Sequence, residues 1–491
     1  MATFEHGVAS GDPLTDRVML WTRVSGQEGT TEVTWKVATD ERLEEIVAEG
    51  TALTGPERDH TVKLDVTALE PNTTYHYSFE LDGETSPVGR TRTLPTDPTE
   101  VTLAVTSCAK YTAGYFNALD RIAERDEVDF WLHLGDYIYE YPTDDGKAVG
   151  PKIGRRMDPE HECRSLDDYR KRYALHRRDE MVQRLHHRHP IIAICDDHEF
   201  CNDTWREGAK NHDEKQDGPW AERKAAALQA WLEWLPVRVE DTPLNRRFGF
   251  GRLADLLLID TRTQRDEMVG DKEAMADPDR TLLGSEQLDW LLDNLSASDA
   301  RWKIVGGGVM VGQVSTDLMP EDVGNPLSEL GILTHEEHGP NPDQWDGYPA
   351  ERDRVLGHVE DKGIADVVFL SGDVHSSWAV DIRRNPDKLD DDPVAVEYVV
   401  TSITSENLDE ELGDERHRSP EIEAHIRDAN PHIRYCELDD HGYLVVTMTE
   451  DTFTGRWHYV DDILAPCPTE SDGPVFVVEA GEKGLRAVDQ S

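Results

Sequence analysis

The chain has 491 residues, 37% hydrophobic and 31% charged, with 51 basic against 100 acidic side chains and a formal net charge of -49. That length exceeds what one hydrophobic core ordinarily serves, so two or more domains are expected. The acidic excess argues against a nucleic-acid scaffold as partner, which needs a basic footprint; its scatter through the chain reads as adaptation to high salt, where screening relieves self-repulsion.

Alternating apolar and polar residues predict four strands in the first 95 residues, at Val18–Val24, Glu32–Thr39, His60–Thr67 and Thr74–Leu81. Gly, Pro and Asp turns separate them at the spacing of a small immunoglobulin- or fibronectin-like β-sandwich, assigned to residues 1–96. The segment Leu69–Tyr77 suits a tyrosine-corner-like bend, and Thr91–Glu100 reads as a linker. From there the period changes. Strands are predicted at Val101–Ser107, Phe130–Leu134, within His189–Phe200, and at Asp255–Arg262, Arg301–Gly308 and Ala365–His375. Helical spacing covers Gly114–Val128, Ser165–His186, Pro219–Leu235, Ser285–Leu295 and Pro349–Lys362. Pro142–Pro159 reads as a loop rich in Gly, Pro and Asp, and the tail from about Ala395 returns to strands. Strands alternating with helices make residues 97–491 an α/β core.

Six cysteines without a CxxC pair argue against a zinc ribbon and leave a disulfide open. No stretch approaches the roughly 18 apolar residues of a membrane span. The first residues, MATFEHGVASGDP, lack a basic n-region and an apolar h-region, so no signal peptide is read there, and localisation stays open between a cytoplasmic protein and one whose leader has been removed.

Several core strands end in groups able to hold a metal. VTLAVTSC ends at Cys108, and WLHLGDYIYE carries Asp136 and Tyr139 just past its apolar run. IIAICDDHE ends at Asp196, Asp197, His198 and Glu199, and DVVFLSGDVH at Asp373 and His375. Taken singly, each has an ordinary structural explanation, because a buried Cys is usually a small hydrophobe and an Asp after a strand is usually a turn residue. Together they converge on the carboxyl ends of strands, where open α/β sheets place their ligands.

In this order, TSC, GDYIYE, DDHE and SGDVHSSW resemble the PhoD-type alkaline phosphatases and phosphodiesterases of the calcineurin-like metallophosphatase superfamily. Gly7–Arg23 and Ile259–Arg265 resemble further segments of that family, so the likeness spans nearly the whole chain. The resemblance implies a β-sandwich domain followed by a metallophosphatase core, a central β-sandwich flanked by helices. It implies Fe3+ held by Cys108, Asp136, Tyr139 and His375, with Asp136 bridging to Ca2+ and Asp197 and Asp373 as further ligands. It gives His198 as the residue that protonates the leaving group or stabilises the phosphoryl charge. Arg262, Arg265 and Asn202 are candidate substrate contacts. The implied substrate is a small phosphorylated compound or a phosphodiester, and members of the family are often exported. The chain departs from the family pattern at the glycine run Gly306–Gly308, at Gln264 and at Cys195.

Two other readings are a nucleotidase or phospholipase D-like phosphodiesterase of narrower specificity, and a non-catalytic phosphate-binding protein. A base-stacking aromatic beside the site favours the nucleotidase, and loss of a carboxylate or histidine ligand favours the binding protein. All the ligands are present.

Overall fold

In the computed structural model, which describes residues 3–144, 149–314, 341–385, 388, 391–412 and 419–488, two large sheets dominate the fold. Ten strands form the first. Its middle is Gly442–Thr449, Glu100–Thr106, Phe130–His133, Ile191–Ala193 and Val8–Gly11, in that spatial order. Seven strands form the second, in the order Arg246–Phe250, Ala254–Leu258, Trp302–Gly306, Val367–Ser371, Ala395–Val399, Ser377–Ile382 and Ile433–Glu437.

Side-chain alternation explains why the two sheets pack together. Leu256 and Leu258 share one apolar cluster with Leu103, Val105 and Leu132 of the first sheet. Their neighbours Leu257 and Ile259 point the other way, into a cluster with Leu291 and Leu356 from the helices Ser285–Ala297 and Pro349–Lys362. A strand buried on both faces reads as an unbroken apolar run, as Ala254–Leu258 does.

The first 95 residues form the predicted strands but do not stand apart. Ile46–Thr54, Thr31–Ala38 and Thr74–Leu81 make a separate sheet, and the apolar cluster under it is shared with Val8, Leu20 and Val62 of the ten-stranded sheet. Val8–Gly11, Arg17–Arg23 and Thr61–Thr67 instead extend the ten-stranded sheet, joined through Gly11 opposite Ile191. Trp21 Nε1 donates to the Glu233 carbonyl (2.8 Å) and Lys63 Nζ to that of Leu232 (2.6 Å), which stitches the unit to the core. Alternation marks a strand but does not name its partner. The expected tyrosine corner is present, with the Tyr75 hydroxyl accepting the Glu70 N–H (2.8 Å).

The long helix expected at Ser165–His186 is two, Leu166–Arg178 and Glu180–Arg188. Asp179 is extended between them and caps the second through the Met181 N–H (2.9 Å), a start signal inside an apparently continuous helical pattern. The helix expected over Gly114–Val128 shrinks to Asn117–Ala123. The strands Ile46–Thr54 and Ser377–Ile382 and the helix Ser419–Ala429 had no matching expectation. Part of the loop expected over Pro142–Pro159, residues 145–148, lies outside the described residues. All six cysteines are free thiols. Among the described residues, no helix is long and apolar enough to cross a membrane.

Candidate active site

The site forms where strands of both sheets end. Glu100–Thr106, Phe130–His133 and Ile191–Ala193 are parallel in the first sheet, and Ala254–Leu258, Trp302–Gly306 and Val367–Ser371 in the second. A parallel bridge between Ser107 and Ser402 puts the two sets of carboxyl ends side by side. Gly135 turns the backbone with φ +108° where Asp196 passes, and a Cβ at Gly308 would fall on the Asp196 carboxylate. The glycines at these points therefore make room for a carboxylate. Cys108, Asp136, Asp373 and His375 have φ of 60°, 59°, 67° and 49°. Left-handed backbone costs a non-glycine residue about 1 kcal/mol, and its concentration in four residues at three strand ends points to a functional constraint.

Ligand atoms of Cys108, Asp136 and His375 lie within 4.8 Å of one another, as do those of Asp136, Asp197 and His198, and those of Asp196, Asp197 and Asp373. Asp136 belongs to the first two groups and Asp197 to the last two. The Tyr139 hydroxyl donates to Asp136 Oδ2 (2.8 Å), lies 3.3 Å from His375 Nε2 and accepts from Ser405 Oγ (2.7 Å). All six residues expected as ligands are thus brought together. Carboxylates in one buried place are donors for hard cations such as calcium, and the thiol and imidazole beside them, with a phenol, are donors that suit a transition metal such as iron. Asp197 Oδ1 is buried with no hydrogen-bond partner, an orphaned lone pair that suits a cation. The residues fit a metal centre with more than one ion.

The electrostatics agree. Burial pushes the Asp136 carboxyl up to about 8, with Asp197 and Asp196 adding to it and His198 opposing. Burial and the nearby carboxylates also push up the Cys108 thiol and the Tyr139 phenol. Each of these groups needs neighbouring positive charge to ionise. Burial draws His375 down to about 4, keeping it a neutral imidazole. Its Nδ1 lies 2.9 Å from the Glu406 carbonyl, which fixes the proton there and leaves the Nε2 lone pair for a ligand bond. Burial opposes a charge on His198, but Asp197, Glu140 and Asp136 outweigh it and hold the imidazolium well above its ordinary range.

Arg262 and Arg265, candidates for phosphate contacts, are fully buried behind the carboxylates. Arg262 binds Asp196, Asp343 (Nη1–Oδ1, 2.6 Å) and Asp373 (Nη2–Oδ1, 2.8 Å). Arg265 is held by Asp343 and the Thr204 carbonyl. Asn202 does reach the cavity of about 480 Å³ that opens beside Tyr139, His198 and His375. Its side chain accepts from the Tyr141 hydroxyl (2.7 Å), and its backbone N–H donates to Glu140 (2.7 Å). Tyr141 is an aromatic on that wall. A larger cleft of about 660 Å³ lies at the opposite end of the second sheet, beside Arg252 and Asp366, away from every ligand cluster.

Several site residues carried no assigned role in the sequence reading. Glu199 accepts the N–H groups of Asp136 (3.0 Å), Tyr137 (2.6 Å) and Asp196 (2.8 Å), locking two ligand loops together. Glu140 Oε2 sits 2.8 Å from His198 Nδ1. Both were visible inside DDHE and GDYIYE. Asp343 and Gln344, which bond Arg262 and Asp373, lie in NPDQW, a segment with no strand pattern to draw attention to it. Gln344 also accepts from the Met310 N–H (2.5 Å), so an amide approaches the glycine-rich segment from a distant part of the chain.

Two sheets whose strands end in a buried, multi-carboxylate cluster with a thiol, a phenol and histidines define a metallohydrolase type of site. Residues 103–457 match the family profile described as "PhoD-like phosphatase", and residues 1–95 match "PhoD-like phosphatase, N-terminal domain". The chain belongs to the PhoD-like phosphatase family. It is 33% identical to alkaline phosphatase D of Bacillus subtilis (strain 168) over 513 aligned positions, covering 99% of this chain and 83% of that protein. A solved structure described as "Structure of PhoD" superposes with a TM-score of 0.87 at 32% identity, covering 100% of this chain and 92% of that one.

Proposed function

We propose that this chain is a metal-dependent phosphoric ester hydrolase of the alkaline phosphatase D kind, acting on monoesters, diesters or both. The observation that carries it is the run of three ligand clusters joined through Asp136 and Asp197. Cys108, Asp136, Tyr139 and His375 suit a ferric ion, and Asp136, Asp197 and Asp373 suit calcium. When bound, these ions supply the positive field that a phosphate needs and bring the pKa of a water toward neutral. His198 hands a proton to the leaving oxygen of an in-line displacement. Glu140 engages its Nδ1 and leaves Nε2 as the nitrogen for that transfer. Glu199 holds the loops that carry Asp136 and Asp196 in register.

We read residues 1–96 as the N-terminal β-sandwich domain and 97–491 as the phosphatase domain, its paired sheets forming the metallophosphatase β-sandwich. The scattered acids read as a surface suited to high salt. Tyr141 on the cavity wall supports a second reading, a narrower preference for substrates with a planar leaving group. Metal analysis with a visible spectrum tests the assignment. The expected result is bound iron and calcium with a thiolate or tyrosinate charge-transfer band that Tyr139→Phe shifts; a protein that holds neither metal contradicts it.

A further inference from the structure

Residues 402–407 carry outer contacts of two candidate metal ligands. Ser405 Oγ lies 2.7 Å from the Tyr139 hydroxyl, and the Glu406 carbonyl faces His375 Nδ1 at 2.9 Å. The Ser402 hydroxyl is within reach of three groups: the Ser405 carbonyl (2.6 Å), Asn407 Oδ1 (2.8 Å) and His441 Nδ1 (3.0 Å). It has one proton to give. The Ser405 carbonyl is the nearest of the three and can only accept, so it takes that proton and His441 Nδ1 becomes the donor to Ser402 Oγ. The other ring nitrogen, Nε2, lies 3.3 Å from Glu410 Oε2, which also accepts the Asn407 N–H (3.1 Å). An imidazole that faces an acceptor at both nitrogens carries both protons. Burial opposes that charge, but Glu410, Asp409 and Glu406 outweigh it.

A hydroxyl, an imidazole and a carboxylate in this order also make up a nucleophilic triad. Ser402 is not a nucleophile, because it has no exposed surface and its proton is committed to a carbonyl. The arrangement is a clamp. The imidazole reaches across from the residue before the strand Gly442–Thr449 and ties Ser402 to Glu410, the two ends of the segment that touches Tyr139 and His375. We propose that His441 is a positioning residue of the metal centre, closing residues 402–410 so that Ser405 meets the Tyr139 oxygen and the Glu406 carbonyl meets the His375 Nδ1 proton. Glu410 is the anion that holds it. The proposal rests on the metal-dependent phosphatase reading above and names a residue that supports the centre from outside its ligand set.

The test compares wild type with His441→Phe, His441→Asn and Glu410→Gln on the full chain. The readouts are iron affinity in competition with a chelator, the position of the tyrosinate charge-transfer band, and amide hydrogen exchange of residues 402–410 without metal. His441→Phe is expected to weaken iron binding by about 10- to 100-fold, the usual cost of losing a partner outside the ligand set, to move the band and to speed exchange at Glu406 and Asn407. His441→Asn keeps a donor near the Nδ1 position and recovers part of each loss. Glu410→Gln removes the charge from a side chain that is 34% exposed and moves all three readouts the same way by less. If His441→Phe does not fold, Glu410→Gln decides. An unchanged band and iron affinity in folded variants, or a lowered melting temperature with exchange of residues 402–410 unchanged, would overturn the proposal. If wild type binds no iron, the metal reading itself fails, and exchange in His441→Phe against wild type still decides the clamp: faster exchange of residues 402–410 supports it and equal exchange overturns it.

Discussion

His198 Nδ1 lies 2.8 Å from Glu140 Oε2, and both side chains are buried. The same imidazole stacks on Tyr139 with ring centres 4.1 Å apart, so two contacts fix its plane. A carboxylate that orients an imidazole and favours its protonated form is the arrangement a general acid needs.

Replacing His198 with Asn is therefore expected to lower kcat by about 10²- to 10⁴-fold, the usual contribution of a positioned proton donor. Metal content and KM stay near wild type, because the ligand clusters retain their carboxylates. Steady-state kinetics with metal analysis checks this; a variant that loses metal in proportion to rate makes His198 a ligand instead.

Glu140→Gln keeps a hydrogen-bonding oxygen but removes the charge. The expected result is a kcat lowered by about tenfold or more with the alkaline limb shifted to lower pH, because the anion that supports the imidazolium is gone. A pH–rate profile reads this. An unchanged profile assigns Glu140 to packing alone.

Arg262 neutralises Asp196, Asp343 and Asp373 from a fully buried position. Removing one partner of a buried ion cluster strands the others, at a cost of about 3–5 kcal/mol. Arg262→Met should lower the melting temperature sharply in chelator and much less with added calcium, since a bound cation replaces the lost charge. Equal destabilisation with and without metal contradicts that.

Much of this site was legible because each ligand follows a signal that sequence carries well, an apolar strand run stopped by a small or polar residue. Cys108, Asp136, Asp197 and His375 all stand at such ends. Pairing was not legible: nothing in VASG states that Gly11 meets Ile191 of a strand 180 residues on. Nor was charge placement. Arg262 beside DTR is open in sequence to a phosphate clamp or to the commoner salt-bridged loop, and only the fold names its carboxylate partners. Asp343 and Gln344 lie in an irregular segment, where residue type alone assigns no neighbour. The break at Asp179 was written in the chain as a cap but hidden within a helical apolar pattern.

His133 gives a pH test independent of the metals. It is buried between Trp131 and Tyr137, with Nε2 lacking a partner, and burial draws its pKa to about 3. The unfolded chain binds its proton near pH 6.5, so this residue's contribution is fully present above about 6.5 and is lost as pH falls toward 3, by up to about 5 kcal/mol. His133→Phe should therefore flatten the stability–pH slope by one proton in that window, although loss of the Gly135 N–H acceptor (3.3 Å) lowers stability at pH 7. Urea midpoints at pH 7 and pH 5 decide it. A slope identical to wild type shows that His133 does not titrate on unfolding.

Hydrolysis of phosphoric esters by a bound metal centre is read from turnover of p-nitrophenyl phosphate through a cycle of chelation and metal return. In high salt, which screens the charge of -49, the expected result is turnover in the metal-replete protein, its loss after chelation and its recovery when iron and calcium are restored. Activity that survives complete metal removal, or a metal-replete protein that turns over neither this ester nor bis-p-nitrophenyl phosphate, would contradict it.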